Sequence, residues 1–275
     1  MTEMLMALVT GLGAGLHSAT WGMYKDAPHE GFAVRTYVRS PIVASVIAVC
    51  LVLWTEADPT TGAGVVVLFG VTYGLERFCL EVYKSFLRVE DQSKYTIPMQ
   101  FAVGGEVVQS AALRLAAGAA YVAVGLTMVF AAQNAPSWGE GLPVILVVFL
   151  VGSAGGWISA VGGAWKDAPI EGFQTFKFFR SPAISFMYGV AMAALTTEHV
   201  FVFLGAIGYT VATIETYKTF LFPNRPRGKF QDKDPLFPEL LTWRHRFVPL
   251  FVLVWVGVLA AGTMALLGDR QGLLG

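Results

Sequence analysis

Eight long apolar segments, almost free of charge, constrain the fold of this chain more than any other feature. They cover approximately residues 4–24, 41–55, 63–83, 110–132, 142–165, 182–196, 200–222 and 247–268. A helix needs about 20 apolar residues to cross the hydrocarbon core of a bilayer, and these segments reach or approach that length. They lack the apolar–polar alternation of barrel strands, and irregular backbone cannot face lipid. The segments therefore predict an all-α polytopic membrane protein with eight transmembrane helices.

The low charge content indicates the same class. Asp, Glu, Lys and Arg make up 14% of the chain, whereas soluble domains carry roughly a quarter. Cys50 and Cys79 both lie in apolar segments, and two such thiols provide neither a disulfide framework nor a metal site. No Lys or Arg precedes the first apolar segment. Because a secretory signal needs a basic start, we interpret that segment as a retained span. We expect the lipid bilayer as a partner, and no nucleic acid.

The positions of the basic residues predict the orientation of the spans. Most of the 19 Lys and Arg residues fall in the loops after the first, third, fifth and seventh segments. The other three loops, EADPTTGAG, QNAPSWGEG and TTEH, contain none. Because cytoplasmic loops carry the excess of Lys and Arg, the four basic loops are predicted to be cytoplasmic. We therefore expect an integral, multi-pass membrane protein with both termini on the non-cytoplasmic side.

The chain contains an internal repeat. Residues 11–41 and 152–182 align with 15 identities in 31 positions, and EVYKSFL at 81–87 matches ETYKTFL at 215–221. Each copy contains four apolar segments, an even number, so both copies have the same orientation, whereas inverted repeats need an odd number. This pattern predicts two parallel four-helix membrane repeats, residues 1–135 and 136–275, related by a pseudo-two-fold axis along the membrane normal.

Small residues recur on one face of the first helix of each copy, because their spacing of four, three and four residues follows the helical period. They are Gly11, Gly15, Ser18 and Gly22, and then Gly152, Gly156, Ser159 and Gly163. Small faces let membrane helices approach closely. We expect the first and fifth spans to contact each other along these faces, either as simple packing or as the lining of a narrow passage.

The second span of each copy, 41–55 and 182–196, is short. Short apolar segments at matching positions of two halves point to a transporter binding site; alternatively, the preceding aromatic segment completes the span. The dipeptides Ser40–Pro41 and Ser181–Pro182 are typical of an N-cap followed by Pro at the first helical position. Helices are accordingly predicted to begin there.

Both copies keep the charged motifs Lys-Asp-Ala-Pro-x-Glu-Gly-Phe, Arg-Ser-Pro and Glu-x-Tyr-Lys-x-Phe near the predicted cytoplasmic ends of helices. Helix capping does not require these charges, so we predict a ligand-binding cluster. Its members are Lys25, Asp26, Glu30, Arg39, Glu81, Lys84, Lys166, Asp167, Glu171, Arg180, Glu215 and Lys218. The alternative is an ion-pair network that only braces the bundle, because opposite charges three residues apart can pair on one helix face.

Two kinds of ligand fit this cluster. Four of its carboxylates offer the oxygen ligands that a divalent metal prefers. They are Asp26, Glu30, Asp167 and Glu171. Four of its cations suit a phosphate or a carboxylate. They are Lys25, Arg39, Lys166 and Arg180. The four histidines have no partner at ligand spacing, so zinc and haem are not expected.

Two further features distinguish the copies. Glu76 and Arg77 form a predicted intramembrane charge pair near the middle of the third span, where the second copy has Thr210 and Val211. Charges at that depth are rare and usually paired or functional, so any central site is expected to be skewed towards the first half. The basic, Pro-rich loop 223–246 is unique to the second copy, and it suits anionic headgroups or a cytosolic or membrane protein partner.

Three functions are compatible with these patterns. The first is a transporter or channel for a small anionic or ionic solute, indicated by the parallel duplication and the paired short spans. The second is a membrane-embedded transferase that acts on a phosphate-bearing lipid, with a divalent metal as cofactor, indicated by charges at headgroup level. The third is a non-catalytic scaffold or assembly subunit.

The orientation can be tested by cysteine labelling in a variant that lacks Cys50 and Cys79. We expect a membrane-impermeant maleimide to label Ser137→Cys in intact cells, and Ser93→Cys only after permeabilisation, because the basic loops lie on the cytoplasmic side. The reverse labelling pattern would contradict the predicted orientation.

Overall fold

The computed structural model describes residues 1–55, 57–223, 229–268 and 272–274, and over these ranges the chain is mainly helical. The α-helices are α1 (Thr2–Glu30), α2 (Val34–Trp54), α3 (Gly62–Val82), α4 (Ala111–Gln133), α5 (Ala135–Trp138), α6 (Val144–Glu171), α7 (Thr175–Ala193), α8 (His199–Thr216), α9 (Leu240–Trp243) and α10 (Val248–Leu267). π-Helical turns, Tyr83–Leu87 and Tyr217–Leu221, continue α3 and α8. A hairpin of β1 (Ala102–Val103) and β2 (Glu106–Val107) precedes α4, and the 3-10 turn Arg244–Phe247 joins α9 to α10.

Six helices of the described chain are long and apolar enough to cross a membrane. They are Val34–Trp54, Gly62–Leu87, Ala111–Gln133, Val144–Glu171, His199–Leu221 and Leu240–Leu267. Large apolar side chains project outward from them, as at Phe130 and Leu253, which are 67% and 66% exposed; lipid is the solvent that suits such a surface. The prediction of an all-α, multi-pass membrane protein is confirmed in these general terms. Helices α1 and α7 overlap the first and sixth predicted segments, and their crossing of the membrane stays a prediction.

The second helix of each half begins earlier than expected. Helix α2 starts at Val34 and α7 at Thr175, so Ser40–Pro41 and Ser181–Pro182 lie inside helices. The prediction that these dipeptides begin helices is wrong, because the six residues before each of them, 34–39 and 175–180, are already helical. The same extension makes α2 and α7 21 and 19 residues long. Helix α2 is thereby long and apolar enough to cross a membrane, as the alternative of a completed span predicted, whereas a crossing by α7 stays a prediction.

The first two glycines of each stripe, Gly11 and Gly15 in α1 and Gly152 and Gly156 in α6, pack against the next helix of the same half. A Cβ atom on Gly15 would lie 2.4 Å from the Pro41 Cα, and one on Gly156 would lie 2.5 Å from the Pro182 Cα. Such distances leave no room for a side chain. The predicted contact between the first and fifth spans is wrong within the described residues, where α1 packs mainly on α2 and α6 mainly on α7. The Gly–Pro contact explains why both residues occur in both copies.

The two halves meet where α3 crosses α8. A Cβ atom on Gly208 would lie 1.9 Å from the Gly70 carbonyl oxygen, and one on Gly74 would lie 2.7 Å from the Leu204 carbonyl oxygen. The Tyr209 hydroxyl donates a 2.8 Å hydrogen bond to the Val66 carbonyl across the same contact. The two backbones therefore touch, which leaves no passage between these helices.

The last helix of the second half packs on the first half, whereas α4 packs on its own half as well as on the second. Helix α10 lies against α1 and α3, and α4 lies against α8. At the first of these contacts, His17 is completely buried with its ring centroid 4.4 Å from that of Phe251 and 5.2 Å from that of Trp255. The His17 Nδ1 atom lies 3.1 Å from the Tyr73 hydroxyl. This histidine belongs to the packed interior of the bundle.

Because α3 and α8 touch at their crossing, we expect a single added methyl group there to lower the stability of the protein strongly. We expect Gly208→Ala to destabilise the protein by about 1–3 kcal/mol or more, because overpacking forces backbones apart. The matched control is Gly257→Ala in α10, where an added Cβ meets nothing within 4 Å. It should be neutral or stabilise the helix by up to about 1 kcal/mol. Thermal unfolding of the purified variants in detergent measures both effects, and equal stabilities would contradict the close approach.

Candidate anion-binding cavity between α6, α7 and α8

The charged motifs of the two halves exchange ion pairs. The Lys25 Nζ atom lies 3.8 Å from Glu215 Oε2, and the Lys166 Nζ atom lies 3.7 Å from Glu81 Oε1. Each lysine of the Lys-Asp-Ala-Pro motif thus contacts the glutamate of the other copy's Glu-x-Tyr-Lys motif. These contacts bring the C-terminal ends of α1, α3, α6 and α8 together at one end of the bundle, which we call the charged end.

The sequence predicts that the Glu and the Lys of each Glu-x-Tyr-Lys motif pair with each other, and only the motif of the second half forms this ion pair. Lys218 Nζ lies 3.7 Å from Glu215 Oε1, as the three-residue spacing suggests. Glu81 instead pairs with Lys166 and accepts a 2.9 Å hydrogen bond from the Ser85 hydroxyl. The Lys84 ammonium has Asp26 and Glu81 among its neighbouring charges. The bracing role that the sequence left open therefore accounts for part of the cluster.

Two loops cover the motif charges of the first half. The Lys229 Nζ atom lies 3.0 Å from Asp26 Oδ2 and 3.2 Å from Glu30 Oε1, and its side chain is only 11% exposed. The Tyr95 hydroxyl lies 2.7 Å from Glu30 Oε1 and 2.6 Å from Glu90 Oε1, and the two carboxylates share its single hydrogen. The Phe230 ring stacks on His29 with centroids 4.4 Å apart. Asp26 and Glu30 thus share the ammonium group of a lysine from a distant part of the chain, and Lys94 lies 3.9 Å from Glu30 as a second cation.

The contacts of Lys229 and Glu90 in these two loops determine the direction in which the pKa of each group is shifted. Burial alone would lower the pKa of the Lys229 ammonium, but the carboxylates of Asp26 and Glu30 outweigh burial and raise that pKa above its ordinary value. Burial alone would raise the pKa of Glu90, but the hydrogen bond from Tyr95 and the neighbouring Arg88 and Lys94 lower it. Both groups therefore keep their charges at neutral pH.

The matching region of the second half is open and forms a cavity of about 200 Å³ between α6, α7 and α8. Its charged lining residues are four cations and three carboxylates. The cations are Lys25, Lys177, Arg180 and Lys218, and the carboxylates are Asp167, Glu171 and Glu215. The Glu171 carboxylate is held at 2.8 Å by Lys177. The rings of Phe173 and Phe178, whose centroids are 5.4 Å apart, also line the cavity.

A difference between the copies explains why the cavity lies in the second half. In the first half, Arg77 Nη1 donates a 2.8 Å hydrogen bond to the Ser18 hydroxyl. The corresponding residues of the second half are Val211 and Ser159, and both line the cavity. The space that a guanidinium fills in one half is therefore empty in the other.

The intramembrane charge pair is internally satisfied. Arg77 Nη1 lies 3.8 Å from Glu76 Oε2, and the Ser18 hydroxyl donates to the same oxygen over 3.2 Å. Glu76 is 1% exposed, and the Arg77 guanidinium lies 5.2 Å from the centroid of the Trp21 ring. Neither residue lines the cavity. The described cavity lies in the second half, whereas in the first half these charges fill the corresponding space themselves. The expectation that a central site is skewed towards the first half stays a prediction.

The proposed shared metal site is not formed. Among the residues that the structure describes, no group of three or more His, Cys, Asp and Glu side chains is placed to hold a metal ion. Asp26 and Glu30 lie under Lys229, whereas Asp167 and Glu171 line the cavity. The predicted anion ligands are also divided: Lys25 and Arg180 line the cavity, Lys166 pairs with Glu81, and the Arg39 guanidinium lies 5.7 Å from the centroid of the Tyr83 ring.

Sequence reasoning missed three contributors. Lys177 lines the cavity, and its counterpart in the first copy is Thr36. The extra positive charge of the second copy at this position could have been noticed in the repeat alignment. Lys229 and Tyr95 complete the cover of the first half from loops that have no counterpart in the repeat alignment. Part of the loop 223–246 lies outside the described residues, which resume at Lys229.

Comparison of the chain with protein-family models, with curated proteins and with solved structures gives no match.

The cover of the first half generates a prediction. We expect Lys229→Met to destabilise the protein by about 1–3 kcal/mol, because it leaves two largely enclosed carboxylates without their cation. A group with a raised pKa contributes fully below its unfolded pKa and loses its contribution as pH rises through the folded value, so the effect should be complete at pH 7. Thermal unfolding measures it, with the exposed Lys233→Met as the control. Equal losses in both variants would contradict this role of Lys229.

Proposed function

We propose that the protein is an integral membrane transporter for a small anionic solute, which binds in the cavity between α6, α7 and α8. The observation that carries the proposal is the lining of this cavity, where cations outnumber carboxylates by four to three. Charge-assisted hydrogen bonds from Lys and Arg are the strong contacts by which proteins hold phosphate and carboxylate groups. Low-dielectric walls around such a site increase its attraction for an anion.

The transporter proposal includes the two-repeat architecture. In it, eight helices cross the membrane as two parallel four-helix repeats, 1–135 and 136–275, around a pseudo-two-fold axis along the membrane normal. Three matching local geometries support it. Both Lys-Asp-Ala-Pro helices end at a glycine with φ near 78°, Gly31 and Gly172. Both Glu-x-Tyr-Lys motifs enter π-helical turns. The ion pairs Lys25–Glu215 and Lys166–Glu81 are reciprocal.

Alternating access fits this arrangement better than a permanent pore. The contact of α3 with α8 is closed by Gly70 and Gly208, so a solute would cross only if helices move. Lys25 and Lys218 both contact Glu215. An anion that draws Lys25 away from Glu215 weakens the link between α1 and α8, and this connects binding at the cavity with movement of one half against the other.

A second candidate is an enzyme that acts on a phosphate-bearing lipid. The position of the cavity favours it, since the C-terminal end of α6 and the start of α7 are predicted to lie at the cytosolic headgroup level, and Phe173 and Phe178 suit that zone. Against a metal-dependent transferase stands the lack of a metal-ligand group among the described residues. A scaffold role would leave the charged cavity without a purpose.

The test measures uptake of radiolabelled phosphate, as a probe anion, into proteoliposomes. We expect Lys177→Gln and Lys218→Gln each to weaken the apparent affinity at least tenfold, because a hydrogen bond to a charged group contributes about 1.5–3 kcal/mol and tenfold corresponds to about 1.4 kcal/mol. Arg35→Gln is the control, since this exposed arginine of α2 does not line the cavity.

The outcomes separate the candidates. Uptake that is equally strong in all variants would contradict the assignment of the cavity. Binding of phosphate or of a phosphate-bearing lipid without uptake would favour the enzyme. Neither binding nor uptake, together with purification only in a complex, would favour the scaffold.

A further inference from the structure

The three carboxylates of the cavity differ in their partners. Glu171 is paired with Lys177 at 2.8 Å, and Glu215 is paired with Lys218 at 3.7 Å and with Lys25 at 3.8 Å. Asp167 forms no ion pair and no side-chain hydrogen bond within the described part of the chain, although it lines the cavity. Its counterpart in the first copy, Asp26, is held by Lys229 at 3.0 Å.

The surroundings of Asp167 include charges from every neighbouring element. Lys166 and Glu171 lie on its own helix, Lys177 and Arg180 come from α7, Lys218 and Glu215 come from the end of α8, and Lys25 comes from α1. The cations of this set can neutralise a bound anion. A carboxylate among them is an acceptor only and has no hydrogen to offer.

A hydrogen-bond acceptor such as the Asp167 carboxylate limits which anions can bind in the cavity. Two negatively charged oxygens in contact repel each other, so an anion can rest against Asp167 only if the anion supplies a hydrogen between them. Hydrogen phosphate carries one. A phosphate monoester carries one below its second pKa of about 6. Sulfate and phosphate diesters carry none at neutral pH.

We propose that the cavity selects a protonated phosphate group, either free phosphate or a monoester, and that Asp167 is the specificity-determining residue that accepts its hydrogen bond. This inference rests on the anion-binding function proposed above and names its ligand class. A volume of about 200 Å³ corresponds to six or seven water molecules at roughly 30 Å³ each, which is ample for a group of five non-hydrogen atoms.

The first experiment compares binding of inorganic phosphate and sulfate to the purified full chain at pH 7 by calorimetry. We expect the wild-type protein to prefer phosphate at least tenfold. In Asp167→Asn the side-chain amide donates a hydrogen bond, so the preference should fall to about threefold or less, chiefly because sulfate binds more tightly. Asp91→Asn, in an exposed loop, is the matched control and should keep the wild-type ratio.

A second measurement needs no variant. Binding of methyl phosphate to the wild-type protein should weaken at least tenfold between pH 5.5 and pH 8, because the ester loses its only acidic hydrogen near pH 6. Inorganic phosphate keeps a hydrogen over this range and should lose much less affinity. Equal pH dependence of the two ligands would overturn the role of Asp167.

Two binding experiments distinguish a soluble phosphate ligand from a lipid headgroup. Phosphate binding in detergent without added lipid would assign a soluble ligand. Binding only in nanodiscs that contain phosphatidic acid, and not in those that contain phosphatidylglycerol, would assign a monoester lipid headgroup. Either result supports the proposal. Equal affinity for phosphate and sulfate would overturn the selectivity and leave the anion-binding function standing, whereas binding of no anion in any arm would overturn both.

Discussion

The cost of placing charge next to hydrocarbon governs the charged end of this protein. A carboxylate or ammonium group there must find an opposite charge, because the surrounding medium solvates it poorly. The chain meets this requirement by exchange: the lysine of each half contacts the glutamate of the other. Each half therefore completes the electrostatics of its neighbour, and the four helix ends that carry these residues are held together.

The duplication allows one half to be closed and the other open. In the first half, Arg77 fills the space beside Ser18, and Lys229 covers Asp26 and Glu30. In the second half, Val211 and Ser159 leave that space empty, and Lys177 adds a cation. The same backbone plan thus yields a braced bundle on one side and a cationic cavity on the other.

Much of the fold follows from the sequence because long apolar runs have one solution in a bilayer. The eight long helices of the described chain overlap the predicted segments, and six of them are long and apolar enough to cross a membrane. The residues at which these helices start were harder to predict. The aromatic stretch before Pro41 reads as an interfacial loop until α1 is available for Gly15 to pack against Pro41.

For the site, the repeat alignment indicated the charged residues that meet at the charged end. It could not indicate that Lys229, about 200 residues away in the chain, neutralises Asp26, because loop contacts of that range leave no periodic signal. The sequence also showed that the second copy has Val211 where the first has Arg77. Without a structure, however, the absence of this charge cannot be distinguished from the absence of a function.

The packing of α10 against the first half has a consequence for biosynthesis. Helix α10 packs on α1 and α3 and encloses His17 with Phe251 and Trp255, yet it is the last long helix of the described chain to leave the ribosome. The first four helices therefore enter the membrane with an unfinished surface and a polar imidazole facing lipid or a temporary neighbour. The half that is translated first therefore reaches its mature packing only after α10 of the second half has been translated.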